Sequence, residues 1–127
     1  MAVTHPTVIR NSLADLVVDL IDSGGSNGTI VFQDGSSNDS DVATLTFSAT
    51  AFGAAANGIA TAAAITDDTN CNAGSVSKFT VFCASGDSAF TGTVTASGGG
   101  GDIILSSVAI GSGDTISISS LTYEAPN

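Results

Sequence analysis

The side chains able to do chemistry are few and scattered. The single histidine, His5, stands directly before Pro6 near the amino end, and Arg10 and Lys78 are the only basic residues. A nucleophile needs a base held beside it in a rigid cleft, and an imidazole in an extended arm is poorly placed for that. Cys83 falls in a strand-like run and reads as core. Lys78 has no serine at a spacing that would let it act as an activating base. Asp67 and Asp68 form a carboxylate pair, but the run Asp67-Asp68-Thr69-Asn70 is a turn, where Asp bonds its own backbone. Nothing here assembles into acid/base or covalent catalysis, so the reading is non-enzymatic.

Metal and redox chemistry have little to hold either. Two cysteines twelve positions apart and one distant histidine are too few ligands for zinc. The loop Asp34-Gly35-Ser36-Ser37-Asn38-Asp39-Ser40-Asp41 and the turn at Asp67 concentrate hard oxygens that suit calcium, yet neither has EF-hand spacing. Solvated loops are expected there, with no metal and no cofactor. A bridge between Cys71 and Cys83 across neighbouring strands is conceivable. The start MAVTHPT lacks the basic and apolar regions of an export signal, so cytoplasmic synthesis and two free thiols are expected.

The element that must position any site is the one segment with a helical period, Val8 to Ser23. At about 100° per residue, Ile9, Leu13, Leu16, Val17, Leu20 and Ile21 share one arc, while Asn11, Ser12, Asp15, Asp19 and Asp22 share the other. Gly24-Gly25 ends it with residues that tolerate a left-handed cap. The apolar arc calls for a greasy face, either on the β-rich remainder or on another subunit. Arg10 extends its stem along the apolar edge. The acidic stripe Asp15, Asp19 and Asp22 carries mutual repulsion and opposes the helix dipole at its end, costing a few tenths of a kcal/mol each. Solvent, or a basic partner surface, is expected to neutralise it. Residues 1–7 form an arm before this helix, frayed or reaching onto a neighbouring subunit.

Beyond residue 24 the pattern is strands and turns. Strand-like runs are Gly28–Asp34, Val42–Ser48, Gly58–Thr66, Ser75–Cys83, Ser88–Ala96, Asp102–Val108 and Asp114–Glu124. In Val42–Ser48, Ala43, Leu45 and Phe47 alternate with Thr44, Thr46 and Ser48, giving one dry and one wet face. The phase change in the last run, from Ile116 and Ile118 to Leu121 and Tyr123, predicts a bulge near Ser119-Ser120. Ala49–Gly58 has no period and suggests a helical turn or a tight bend. Parallel pairing would demand crossover helices, for which no further helical period exists. The expected architecture is mainly β: an antiparallel sandwich or jelly roll of seven or eight strands, residues 8–127, with one amino-terminal helix.

Composition narrows function further. The 127 residues include 12 Asp and Glu against 2 Lys and Arg, for a formal charge of -10. Two isolated cations cannot displace the counterions of a nucleic acid or hold an anionic membrane. No apolar run approaches membrane-spanning length. With 43% hydrophobic and 11% charged residues, the chain has ample core and a surface of Ser, Thr, Asn, Gly and Ala, which suits assemblies.

The opening IRNSLADLVVDLIDSG and the closing GDIILSSVAIGSGDTISISSLTYEAP, with GTIVF, AFGAAANGIAT and KFTVF between them in order, resemble small structural proteins of tailed phages. The chain is similar to capsid cement or decoration proteins. The resemblance implies a jelly-roll-like fold bound to the outer capsid surface of the virion, with the major capsid protein as partner and self-association as a dimer or trimer. It also implies that many weak contacts brace the head together. Candidate partner contacts are Thr4, His5, Pro6, Arg10, Asp15, Asp19, Asp22 and Tyr123, with the arm and the tail Tyr123–Asn127 as contact elements. The alternative is a tail, baseplate or adhesin-type module that binds a host glycan, perhaps with calcium. It is disfavoured by the absence of Trp and a single Tyr.

Overall fold

The computed structural model describes residues 3–125. Pro6 caps helix α1, Thr7–Ile21, with no side-chain cap bond; its carbonyl accepts the N–H groups of Ile9 and Arg10. The helix stops where expected, with Gly24 and Gly25 at φ 118 and 84.

Ten strands follow: β1 Thr29–Gln33, β2 Asp41–Phe47, β3 Ile59–Thr61, β4 Ile65–Thr66, β5 Gly74–Ser75, β6 Lys78–Phe82, β7 Ser88–Ala96, β8 Ile103–Leu105, β9 Ala109–Ile110 and β10 Thr122–Glu124. Six form one sheet in the order β4-β2-β1-β6-β7-β8, and two ribbons, β10-β3 and β5-β9, complete a sandwich-like fold. β1 and β6 lie at the centre, paired Val31 to Thr80, and both bury three consecutive residues because both of their faces are covered. β2 alternates as its sequence does, with Ala43, Leu45 and Phe47 inside and Thr44 outside. The core gathers Val18 and Ile21 of α1 with Ile30, Phe32, Leu45, Phe47, Val81, Phe52, Ala60 and Ile116. The rings of Phe47 and Phe52 meet at 5.7 Å.

The class is as the sequence reads, mainly β with one amino-terminal helix, but several details differ. Two expected runs, Gly58–Thr66 and Ser75–Cys83, are each split in two and β9 lies beyond the Asp102–Val108 run, so there are ten strands rather than seven or eight. In place of a bulge at Ser119-Ser120 the ladder lapses between a bridge at Ile116 and β10. The sheet is mixed: β8 runs parallel to β7, Val94 to Ile103 and Ala96 to Leu105. No crossover helix is needed, because the chain doubles back through Ser97–Asp102, with Gly98 and Gly100 at φ 89 and 76. The Asp102 carboxylate accepts the Thr93 N–H and hydroxyl at 2.9 and 3.1 Å and so clamps the return. Ala49–Gly58 forms an irregular strap that ends in a tight bend. Asn57 and Gly58, at φ 54 and 78, close a two-residue hairpin turn in which Ala56 and Ile59 exchange 2.9 Å bonds.

Candidate interaction surface

The strap Ala51–Gly58 decides how α1 sits. It makes little ladder, and its N–H groups at Ala51, Ala55 and Gly58 need acceptors. The helix supplies them. Asp22 Oδ1 accepts the Ala51 N–H at 2.9 Å, Asp15 Oδ1 the Ala55 N–H at 2.7 Å, and Asn11 Oδ1 the Gly58 N–H at 2.7 Å. Positions 11, 15 and 22 fall within about 40° of one another on the helix, so one polar stripe meets one run of donors. Ala14, Val18 and Ile21, beside that stripe, enter the core at 1% exposure or less.

Arg10 completes the inward edge. Its Nη2 donates to Glu124 Oε1 at 3.0 Å, joining the first helix to the last strand. The guanidinium lies over Gly58, where an added Cβ would come within 2.7 Å of it, and its buried Nε has no partner.

The consequence is a helix turned away from the orientation its amphipathic pattern predicts. Leu16 points almost opposite to the buried residues, and Val8, Ile9, Leu16 and Leu20 are 68%, 42%, 60% and 51% exposed. Leu13 and Val17, at the margin, are half-buried. The arc from Ser12 through Leu16, Ile9, Leu20, Leu13 to Val17 carries no charged residue; Asp19 and Arg10 bound it. Beside Val17 and Leu20 a shallow hollow of about 230 Å³ opens against Cys83, Ser85 and Ala89. Val8, Ile9, Leu16 and Leu20 thus leave apolar surface in water on the outer side of the helix.

The residues expected to meet partners divide accordingly. Arg10, Asp15 and Asp22 are each engaged within their own chain at separate points along the helix, so two members of the acidic stripe are satisfied by backbone N–H groups rather than by solvent or a basic partner. Thr4, His5, Pro6 and Asp19 are exposed. The arm comprises Val3–Pro6, since Thr7 already belongs to α1; Met1 and Ala2 lie outside the described residues. Tyr123 is half-buried, its ring 5.1 Å from that of Phe90. The tail is tied rather than free: Tyr123 pairs with Ala60, and the Ala125 N–H donates to the Gly58 carbonyl at 2.9 Å. Pro126 and Asn127 lie outside the described residues. Ile9, Leu16 and Leu20 belong to the apolar arc for which the sequence leaves two covers open, the β-rich remainder or another subunit; in the fold the β-rich remainder covers Ala14, Val18 and Ile21 and leaves these three exposed.

Elsewhere the reactive groups hold structure. Cys71 is buried and Cys83 half-buried, both as free thiols. Burial, helped by the Asp68 carboxylate, pushes the Cys71 thiol up; burial, helped by Asp87, does the same for Cys83. Neither is poised as a thiolate. In the acidic loop the Ser36 and Ser40 N–H groups donate to Asp34, at 2.9 and 3.1 Å, and hold its carboxyl below the ordinary range. Lys78 Nζ pairs with Asp39 Oδ2 at 3.0 Å. Asp68 accepts from the N–H groups of Thr44 and Asn70 at 2.8 and 2.9 Å. Among the described residues, no three His, Cys, Asp or Glu side chains converge as metal ligands, and no helix is long and apolar enough to cross a membrane. None of the exposed large hydrophobic residues is aromatic; the half-buried Phe90 and Tyr123 line a hollow of about 300 Å³ with Phe79 and Leu121. Comparison with family models, with curated proteins and with solved structures finds no match to this chain.

Proposed function

We propose that this chain is a non-catalytic structural protein of a tailed-phage virion. On this reading it is made in the host cytoplasm, binds the major capsid protein on the outer surface of the head, and stabilises the shell as a cement or decoration protein. The observation that carries the reading is the outward face of α1. A chain whose one helix among the described residues is anchored by Asn11, Asp15 and Asp22, while Ile9, Leu16 and Leu20 stand in water, is arranged for protein contact. The rest of the surface agrees. Carboxylates that elsewhere serve as acids, bases or ligands here cap loops and strands, and a charge of -10 keeps the chain off packaged DNA. The resemblance of the terminal and central segments to phage head proteins supplies the partner.

Stabilisation then rests on number. Contacts that are weak singly become tight when hundreds of sites lie on one shell, because each bound copy raises the effective concentration of its neighbours. The test is the virion itself. Particles of the phage that encodes the chain, purified on a density gradient, should contain the polypeptide in many copies, accessible to antibody on intact heads. Heads lacking it should release DNA at a lower temperature. Virions free of the polypeptide would remove this reading.

A further inference from the structure

We propose that the hollow between β7 and the last strand binds the side chain of a lysine presented by a partner protein. About 300 Å³ in volume, it is walled by Phe79, Phe90, Ile103, Leu121 and Tyr123, and the carboxylates of Asp102 and Glu124 line it as well. Four separate stretches of the chain meet there, and their rings hold one another in place. Phe90 stands edge-on to Phe79 at 6.3 Å and 88° and to Tyr123 at 5.1 Å and 75°, so the wall is set before anything enters. A Cβ on Gly92 of β7 would come 2.6 Å from the Phe79 ring and 2.9 Å from Asp102 Oδ2, which places ring and carboxylate against one spot.

The two carboxylates name the ligand. Thr93 donates to Asp102 Oδ2 and Arg10 to Glu124 Oε1, while Asp102 Oδ1 and Glu124 Oε2 accept no hydrogen bond among the described residues. Unfilled carboxylate oxygens repel phosphates and other anions, and two carboxylates on apolar walls are too few oxygens for a hard metal ion. What fits is a cation on an aliphatic stem. The stem covers Ile103 and Leu121, the ammonium takes the free oxygens, and the half-buried rings of Phe90 and Tyr123 add attraction through their faces. Lysine suits better than arginine, because each carboxylate offers one oxygen rather than the pair that a guanidinium fork grips. The chain does not supply this group itself. Its one arginine and its one lysine are paired with Glu124 and Asp39, at 3.0 Å each, so a second copy brings no free lysine either. With a charge of -10 on this chain, the occupant is a basic segment of a different protein. The hollow would take such a segment whichever protein carries it, so the virion reading is not a premise.

Titration of the isotope-labelled full chain with Nα-acetyl-lysine-N-methylamide, followed by NMR, tests this. Signals of Phe90, Thr91, Ile103 and Tyr123 should shift together and saturate with a Kd of about 1–10 mM at low salt, weakening as NaCl is added. The norleucine analogue, which keeps the stem and lacks the ammonium, should bind at least about tenfold more weakly. The double variant Asp102→Asn/Glu124→Gln should lose the same factor for the lysine probe, whereas Asp34→Asn, in a loop away from the hollow, should bind as the wild type does. The two probes on the wild type decide the matter even if the double variant unfolds. Equal binding of the two, no shift up to about 50 mM, or shifts confined to the acidic loops at Asp34 and Asp67 would overturn the assignment. So would glucose moving these signals while the lysine probe leaves them still, since the hollow would then take a neutral sugar. Absence of the polypeptide from virions would remove the structural role proposed above and leave these titrations to judge the lysine site alone.

Discussion

Replacing Asp22 by alanine tests the claim that α1 is held by its polar edge. Asp22 Oδ1 accepts the N–H of Ala51, a residue with no exposed surface, so truncation leaves a buried donor without a partner. A hydrogen bond to a charged acceptor contributes about 1.5–3 kcal/mol, and the orphaned N–H cannot recover it from water. Against this, Asp22 is the C-cap of α1, where the helix dipole opposes an anion by about 0.3–1 kcal/mol, a penalty that the substitution relieves. The difference leaves a net loss of about 1–2 kcal/mol. With a urea slope of about 1–3 kcal/mol/M, the midpoint should fall by roughly 1 M at an unchanged slope. Asp22→Asn keeps the acceptor and removes the charge, so it should stay within about 0.5 kcal/mol of the wild type. The matching control is Leu16→Ala in dilute solution. If the apolar arc faced the core, that change would cost about 2–5 kcal/mol; as an exposed residue it should cost less than about 0.5 kcal/mol. A neutral Asp22→Ala beside a crippling Leu16→Ala would refute the orientation of the helix and with it the contact face.

Gly58→Ala should destabilise by more than the about 1 kcal/mol of an ordinary glycine substitution, because φ is 78 and the new Cβ would sit 2.7 Å from the Arg10 guanidinium; thermal melting of this variant against Gly86→Ala, at φ 98 with open space around it, separates crowding from backbone strain. Acid should weaken the fold through Asp34 and Asp102, whose carboxyls are held below the usual range by bonds from Ser36 and from Thr93 respectively. Both groups bind protons more weakly folded than unfolded, so their contribution is complete above the unfolded value of about 3.9 and disappears as pH falls through the lower folded values. Melting temperature should be flat in this respect above about pH 5 and drop below about pH 4, and Asp102→Asn should blunt the drop. Maleimide labelling at neutral pH should be slow at Cys83 and slower still at buried Cys71 until denaturant is added, because burial raises both thiols; rapid labelling of Cys71 in the native protein would contradict its place in the core.

The sequence made the ingredients legible more readily than their assembly. Period-two alternation located β2 and β7, while Ala49–Gly58, which the sequence leaves as a helical turn or a tight bend, makes the bend at Asn57-Gly58. The helix was legible to within two residues at either end, since its period and Gly24-Gly25 are local signals. Its rotation was not. A hydrophobic arc measures only what the helix itself prefers, whereas the strap at Ala51–Gly58 imposed a demand for acceptors that no window around residue 15 contains. Asp15 and Asp22 therefore read as tension in the sequence and as anchors in the fold. The parallel pairing of β7 with β8 was hidden for a related reason: a three-residue ladder needs only a glycine-rich return and the Asp102 clamp, neither of which announces direction. As for the candidate surface, Thr4, His5, Pro6 and Asp19 are exposed, and the outward leucines belong to an arc whose cover the sequence left open between the β-rich remainder and another subunit.

The knot around Gly58 also sets an order of events. Asn11 and Arg10 are made early, yet the partner of Arg10 lies 114 positions further on, and Ala125 bonds the same glycine. During translation the helix emerges long before the strand that fastens it, with Leu16 and Leu20 bare and Val18 and Ile21 without their pocket. Contacts this remote in sequence close slowly, on a millisecond-to-second scale for β-rich domains. Val18 and Ile21 thus stay unsheltered until the strands that cover them have been made, which exposes the nascent chain to aggregation over that interval.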